Sequence, residues 1–226
     1  MKTGKIFKDN CDLIFFLIMI ITLNTHLVGV FEIDTLILFP DAVQKGEWWR
    51  LFTHPFVHVS WYHLVLDAGA FIILYLNLRK KCGLRFIHTV ICGIASFVTI
   101  WFCSSTFPEI GFCGLSGVAH GLMIVLTLEM IFDSEKLFQS QKSKVGLIVF
   151  VIIMFKCTSE FTGIGIISDF HFGLCGNPIY ESHIGGIIGG IASFFTFEYC
   201  GIGISHDSIK KSKENNYKSK KKCVIV

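Results

Sequence analysis

Six stretches of this chain are apolar for about the length that a helix needs to cross a bilayer, at about 12–31, 62–78, 86–103, 114–132, 145–160 and 179–199. A hydrocarbon core takes roughly 20 helical residues to span. A helix can do so because it satisfies its own backbone hydrogen bonds where no water is present. Composition agrees, since 52% of the 226 residues are hydrophobic and only 16% charged, outside the range of ordinary soluble domains. The expected fold is an all-α membrane protein, a bundle of six transmembrane helices.

Basic residues orient that bundle, because short loops rich in Lys and Arg resist translocation. Lys2, Lys5 and Lys8 precede the first stretch, Arg79, Lys80, Lys81 and Arg85 follow the second, Lys136, Lys142 and Lys144 follow the fourth, and seven lysines follow the sixth. Seventeen of the 20 basic residues thus fall on one side, and both termini are expected in the cytoplasm. The first stretch has the basic start of a signal peptide but no A-x-A-like cleavage site, so it reads as a retained helix. No repeat or linker divides residues 1–200, which form one domain, and 201–226 read as a basic, disordered cytoplasmic tail.

Nine cysteines show no C-x-x-C spacing. Cys103, Cys113 and Cys175 fall on or near the outer side, where an oxidising compartment permits a disulfide. The chain carries no nucleotide fingerprint or metal-ligand cluster, so no cofactor, metal or nucleic-acid partner is expected.

Against this background a few polar residues stand out. Ser116, in GLSGVAHG at 114–121, His183 and His63 each fall a turn or so inside the outer end of a different stretch. One such residue is ordinarily a packing feature. Three at matched depth point to a wet cavity inside the protein, because intramembrane polar groups are costly and face such interiors. The glycines point the same way. Gly costs up to about 1 kcal/mol in a helix interior, yet Gly114 and Gly117 flank Ser116, and Gly185, Gly186, Gly189 and Gly190 follow His183. Small residues four apart let helices approach closely. The row Gly186–Gly190 would bring the sixth stretch against the fourth and the imidazole within reach of Ser116.

At these residues the chain resembles the rhomboid family of intramembrane serine proteases. The likeness covers residues 10–200 and rests on WWRLFTHPFVHVSWYHLVLD at 48–67, GLSG at 114–117, SHIGGIIGG at 182–190 and the six-span, N-inside layout. It implies a dyad with Ser116 as nucleophile and His183 as general base, the imidazole taking the hydroxyl proton and later protonating the leaving amine. It further implies that His63 and the backbone N–H of Ser116 hold the oxyanion. The family has an Asn four residues after that His, whereas this chain has Asp67. Asp67 either donates as a neutral acid, or accepts from His63 and turns the ring's other nitrogen toward the oxyanion; the second is favoured. His120 occupies a position where many members have a Tyr stacked on the catalytic imidazole, and its planar ring can orient His183 in the same way. The form GLSGVAHG is similar to the rhombosortase branch, linked to proteins with C-terminal Gly-Gly sorting segments. This implies a bacterial inner membrane with the site on the non-cytoplasmic side.

The outer loop at about 32–61 interleaves Trp48, Trp49, Phe52, Phe56 and Trp61 with Arg50, His54 and His58. Rings of this kind favour the membrane interface, and the loop is assigned to folding and embedding. The expected partners are single-span membrane proteins, cut at or near their outer ends, and the lipid bilayer itself, with anionic lipid at the basic tail. A catalytically inactive rhomboid-like protein that binds membrane clients is the alternative, and a small transporter a weaker one. The ending Cys223-Val-Ile-Val fits both a plain polybasic tail and a C-a-a-X lipidation box.

Overall fold

The computed structural model describes residues 11–78, 82–132, 140–163 and 179–199. Its main helices are α1 (Cys11–Leu23), α2 (Trp61–Asn77), α3 (Cys82–Cys103), α4 (Ser116–Phe132), α5 (Gln141–Thr162) and α6 (Tyr180–Phe194). Among the described residues no strand forms, and the sole bridge pairs Leu38 with Phe112. Cys175, Cys223, Lys2, Lys5, Lys8, Arg79, Lys80, Lys81, Lys136 and the tail lie outside the described residues.

The six apolar stretches do not become six equal rods. Among the described residues, three helical segments are long and apolar enough to cross a membrane: Cys11–Val28, Gly83–Cys103 and Gln141–Thr162. Arg50–Phe56 with α2 passes as a fourth only as a pair bent by 91°. The 17 residues of α4 rise about 25 Å, less than the roughly 30 Å of a hydrocarbon core. α4 is therefore a short rod, while the 15 α-helical residues of α6 continue into a π-helical segment at Phe195–Tyr199.

The α1–α2, α2–α3 and α4–α5 pairs each run in opposite directions, whereas α4 and α6 run parallel, Gly117 facing Gly186 and Gly121 facing Gly190. At one end the Tyr75 hydroxyl donates to Asp12, Arg85 lies over the Tyr75 ring, and Ser143 Oγ donates to the Ile131 carbonyl at 3.1 Å. The first two contacts gather the start of α1, the end of α2 and the start of α3, and the third ties the end of α4 to the start of α5. Apolar side chains such as Ile18, Ile21, Ile73, Phe102, Ile152 and Phe161 face outward, as lipid contact requires. Eleven residues of α4 are buried, Gly117, Leu122 and Val125 among them, so the helix carrying Ser116 lies at the centre.

Glycines set the separation between α4, α6 and α3. A methyl group on Gly117 would lie 2.7 Å from the Ser182 carbonyl oxygen, and one on Gly121 would lie 2.6 Å from that of Gly186. On Gly186 or Gly190 it would overlap the carbonyls of Gly117 and Gly121. The other pair faces α3, where a methyl on Gly185 would meet the Ala95 carbonyl oxygen at 2.6 Å. Alternate glycines of one helix thus seat it against two neighbours at once.

The outer loop is built on Arg50, which is buried. Its guanidinium donates to Glu47 Oε2 at 2.7 Å and to the carbonyls of Asp34 and Ile37 at 2.5 Å. Trp48, Trp49, Phe52 and Trp61 turn outward. Backbone bonds between Leu38 and Phe112, and from Gly114 N–H to the His54 carbonyl at 3.0 Å, tie the loop to the entrance of α4. Gly114, at φ +108°, makes a turn that a side chain would strain.

Candidate active site

Ser116 is the first residue of α4, and its position follows from the turn at Gly114. Its N–H falls in the first helical turn, where no carbonyl of the same helix can accept it, at the positive end of the helix dipole. Directly across the glycine seam lies the Ser182 carbonyl, so His183 on α6 stands beside the start of α4.

His120 and His183 are stacked, with ring centroids 4.0 Å apart and planes inclined by 17°. His120 Nδ1 lies 2.7 Å from the Ser116 carbonyl oxygen, and its Nε2 lies 3.1 Å from Lys156 Nζ. A carbonyl can only accept and an ammonium only donate, so His120 carries its proton on Nδ1 and is neutral. His183 Nδ1 lies 2.8 Å from Glu160 Oε2, and Lys156 Nζ holds the other carboxylate oxygen, Oε1, at 2.5 Å. The side chains of His183 and Glu160 are only 6% and 12% exposed, so bulk water competes little for these bonds. Nδ1 donating to a carboxylate leaves Nε2 as the free lone pair of the His183 ring. Among the described residues, Ser116 Oγ makes no hydrogen bond to His183.

His63 and Asp67 form a second cluster on α2, beside Gly114. Ser60 Oγ accepts from the His63 N–H at 3.1 Å and caps the helix there. Asp67 Oδ2 is 3.1 Å from His63 Nε2. His63 Nδ1 is buried without a hydrogen-bond partner among the described residues. His58, fully buried, packs edge-on against His63 at 5.0 Å and has its Nε2 3.9 Å from Asp67 Oδ2.

Five residues singled out from the sequence thus fall into two groups: Ser116, His120 and His183 where α4 meets α6, and His63 and Asp67 on α2. Glu160, Lys156 and His58 went unrecognised as site residues. Lys156 and Glu160 are opposite charges four residues apart at the end of an apolar stretch, and an ionisable pair at that depth is itself a signal of function. Cys103 and Cys113 are free thiols, so neither is bonded to the other. Among the described residues no His, Cys, Asp and Glu cluster could hold a metal ion.

A family model of the Rhomboid domain matches residues 45–199. YdcA of Bacillus subtilis (strain 168), named as a candidate rhomboid protease, is 26% identical over 156 residues, covering 69% of this chain and 76% of its own length. The rhomboid protease GlpG of Salmonella paratyphi A is 26% identical over 178 residues, covering 78% of this chain and 59% of that one. Rhomboid-like protease 1 of Toxoplasma gondii is 25% identical over 176 residues, covering 73% and 58%. The chain therefore spans less than two thirds of the length of the latter two relatives.

Proposed function

The chain belongs to the rhomboid family and is an integral membrane protein, and from that membership we propose that it is an intramembrane serine endopeptidase. Its reaction is hydrolysis of one peptide bond at or near the outer end of a single-span membrane protein. Ser116 Oγ adds to the scissile carbonyl carbon while its proton passes to His183 Nε2. The imidazolium returns that proton to the leaving amine, and a water molecule, deprotonated by the same ring, then releases the acyl group from Ser116. The developing oxyanion is held by the Ser116 N–H and His63. Helical backbone is protected by its own hydrogen bonds, so the scissile segment unwinds beside the recessed end of α4 before attack. With its basic loops in the cytoplasm, the chain presents this site to the opposite side.

One observation carries the reading: His183 is stacked on His120 and bonded through Nδ1 to Glu160, which leaves Nε2 as the basic atom beside the start of α4. A substrate ending in a Gly-Gly segment is the class that the resemblance of GLSGVAHG to the rhombosortase branch implies, and glycine-rich backbone unwinds at little cost. The test is incubation of the purified protein in lipid with a tagged single-span substrate of this type. Cleavage abolished by Ser116→Ala supports the protease. Binding without cleavage by the wild type makes it an inactive client-binding relative.

A further inference from the structure

The dyad reading leaves Glu160 and Lys156 with no role, yet both lie inside the site. Glu160 comes from α5, 23 residues before His183 in sequence, and its carboxylate meets the imidazole at 2.8 Å. An isolated carboxylate at this depth is costly, and here both oxygens are used. One accepts from His183 Nδ1, and the other accepts from Lys156, whose ammonium also donates to His120 Nε2. The bonds form a continuous chain: Ser116 carbonyl, His120, Lys156, Glu160, His183. It links three helices and returns to the start of α4 through the two stacked rings.

We propose that Glu160 is the third member of a Ser116–His183–Glu160 triad, a positioning residue that fixes the His183 tautomer and stabilises the imidazolium formed when Ser116 gives up its proton. This rests on the protease reading above. The chemistry requires little else. An imidazole can take the serine proton only through a nitrogen that carries none, and Nδ1–H donating to a carboxylate keeps Nε2 in that state. The carboxylate gains interaction as the ring becomes positive, so it acts more strongly in the transition state than before it. Lys156 locks the carboxylate plane and, through His120, the face of the ring.

The full-length protein in lipid tests this with two independent readouts. The first is kcat and KM on a tagged single-span substrate, with acylation of Ser116 by a fluorophosphonate probe. The second is the tautomer of the 15N-labelled His183 ring, read by NMR, which needs no turnover. Glu160→Gln is expected to lower kcat and the acylation rate by at least about 100-fold with KM little changed, and to give a mixture of His183 tautomers in place of the Nδ1–H form. Glu160→Asp, which keeps the charge, recovers part of the loss. Wild-type kcat and an unaltered tautomer in Glu160→Gln overturn the triad while leaving the protease standing, provided Ser116→Ala is dead. Cleavage that persists in Ser116→Ala overturns the protease reading and the triad with it. If Glu160→Gln lowers the melting temperature, the comparison moves to the double variant Glu160→Met/Lys156→Met, which removes the buried charge pair together, at matched stability, and wild-type rates with an unaltered tautomer there reject the triad.

Discussion

Asp67 Oδ2 and His63 Nε2 lie 3.1 Å apart, one helical turn from each other on α2, beside the glycine that precedes the α4 entrance. On the proposed reading, in which His63 holds the oxyanion, an ionised carboxylate facing that oxyanion directly would repel it, so Asp67 is expected to act through the His63 ring.

A double-mutant cycle reads this coupling. His63→Ala is expected to lower kcat about 100- to 1,000-fold, the usual cost of one oxyanion donor. Asp67→Ala lowers it in the same direction, and the double variant falls no further than His63→Ala alone. Additive losses would show that the two side chains act separately.

The glycine seam makes a sharply position-dependent prediction. Gly186→Ala drives a methyl group into the Gly117 carbonyl, so α6 must move away from α4; overpacking of this kind costs about 1–3 kcal/mol. Gly69, on α2, has nothing within 4 Å of where a methyl would stand. Gly69→Ala is therefore expected to leave stability unchanged or raise it by up to about 1 kcal/mol through helix propensity. Melting temperatures in detergent for the two variants, measured side by side, check the contrast. Equal values would remove the close crossing from the account of the site.

Acid should loosen the outer loop. His54 and His58 are buried there, and burial pushes each imidazole down from 6.5 to about 4. An unfolded histidine protonates near pH 6.5. Between about pH 6.5 and 4 the unfolded chain binds protons that the folded loop refuses, so stability falls as pH drops, by up to roughly 1.4 kcal/mol per unit for each ring. Above about pH 6.5 both states are neutral and the effect vanishes. Because the His54 carbonyl holds the Gly114 N–H, loosening the loop also frees the entrance of α4. The melting temperature should therefore fall between about pH 7 and 5, and His54→Asn should flatten the slope; a flat wild-type profile would contradict it.

The order of the six helices was legible in hydropathy alone, and the close approach of α6 to α4 in the spacing of Gly186 and Gly190. The stacking of His120 on His183 was legible only through the family resemblance, which puts a stacking ring at that position. The lengths were less accessible, because hydropathy counts apolar residues and not the turn at Gly114, which starts α4 late. Glu160 was hidden for a different reason. Beside Lys156 in sequence it reads as an ordinary pair on a helix surface, and only the packing of α5 against α4 and α6 shows that the pair points inward. His58 likewise read as one more polar residue of an amphipathic loop, until that loop folded over α2.

Because Glu160 grips His183 and Lys156 grips His120, the C-terminal end of α5 is latched to its neighbours by hydrogen bonds. A helix arriving from the bilayer could force α5 aside only by pulling the carboxylate off the imidazole. Admission by that route and catalysis would then be mutually exclusive moments, and the door would have to swing shut behind a substrate before its bond could be cut.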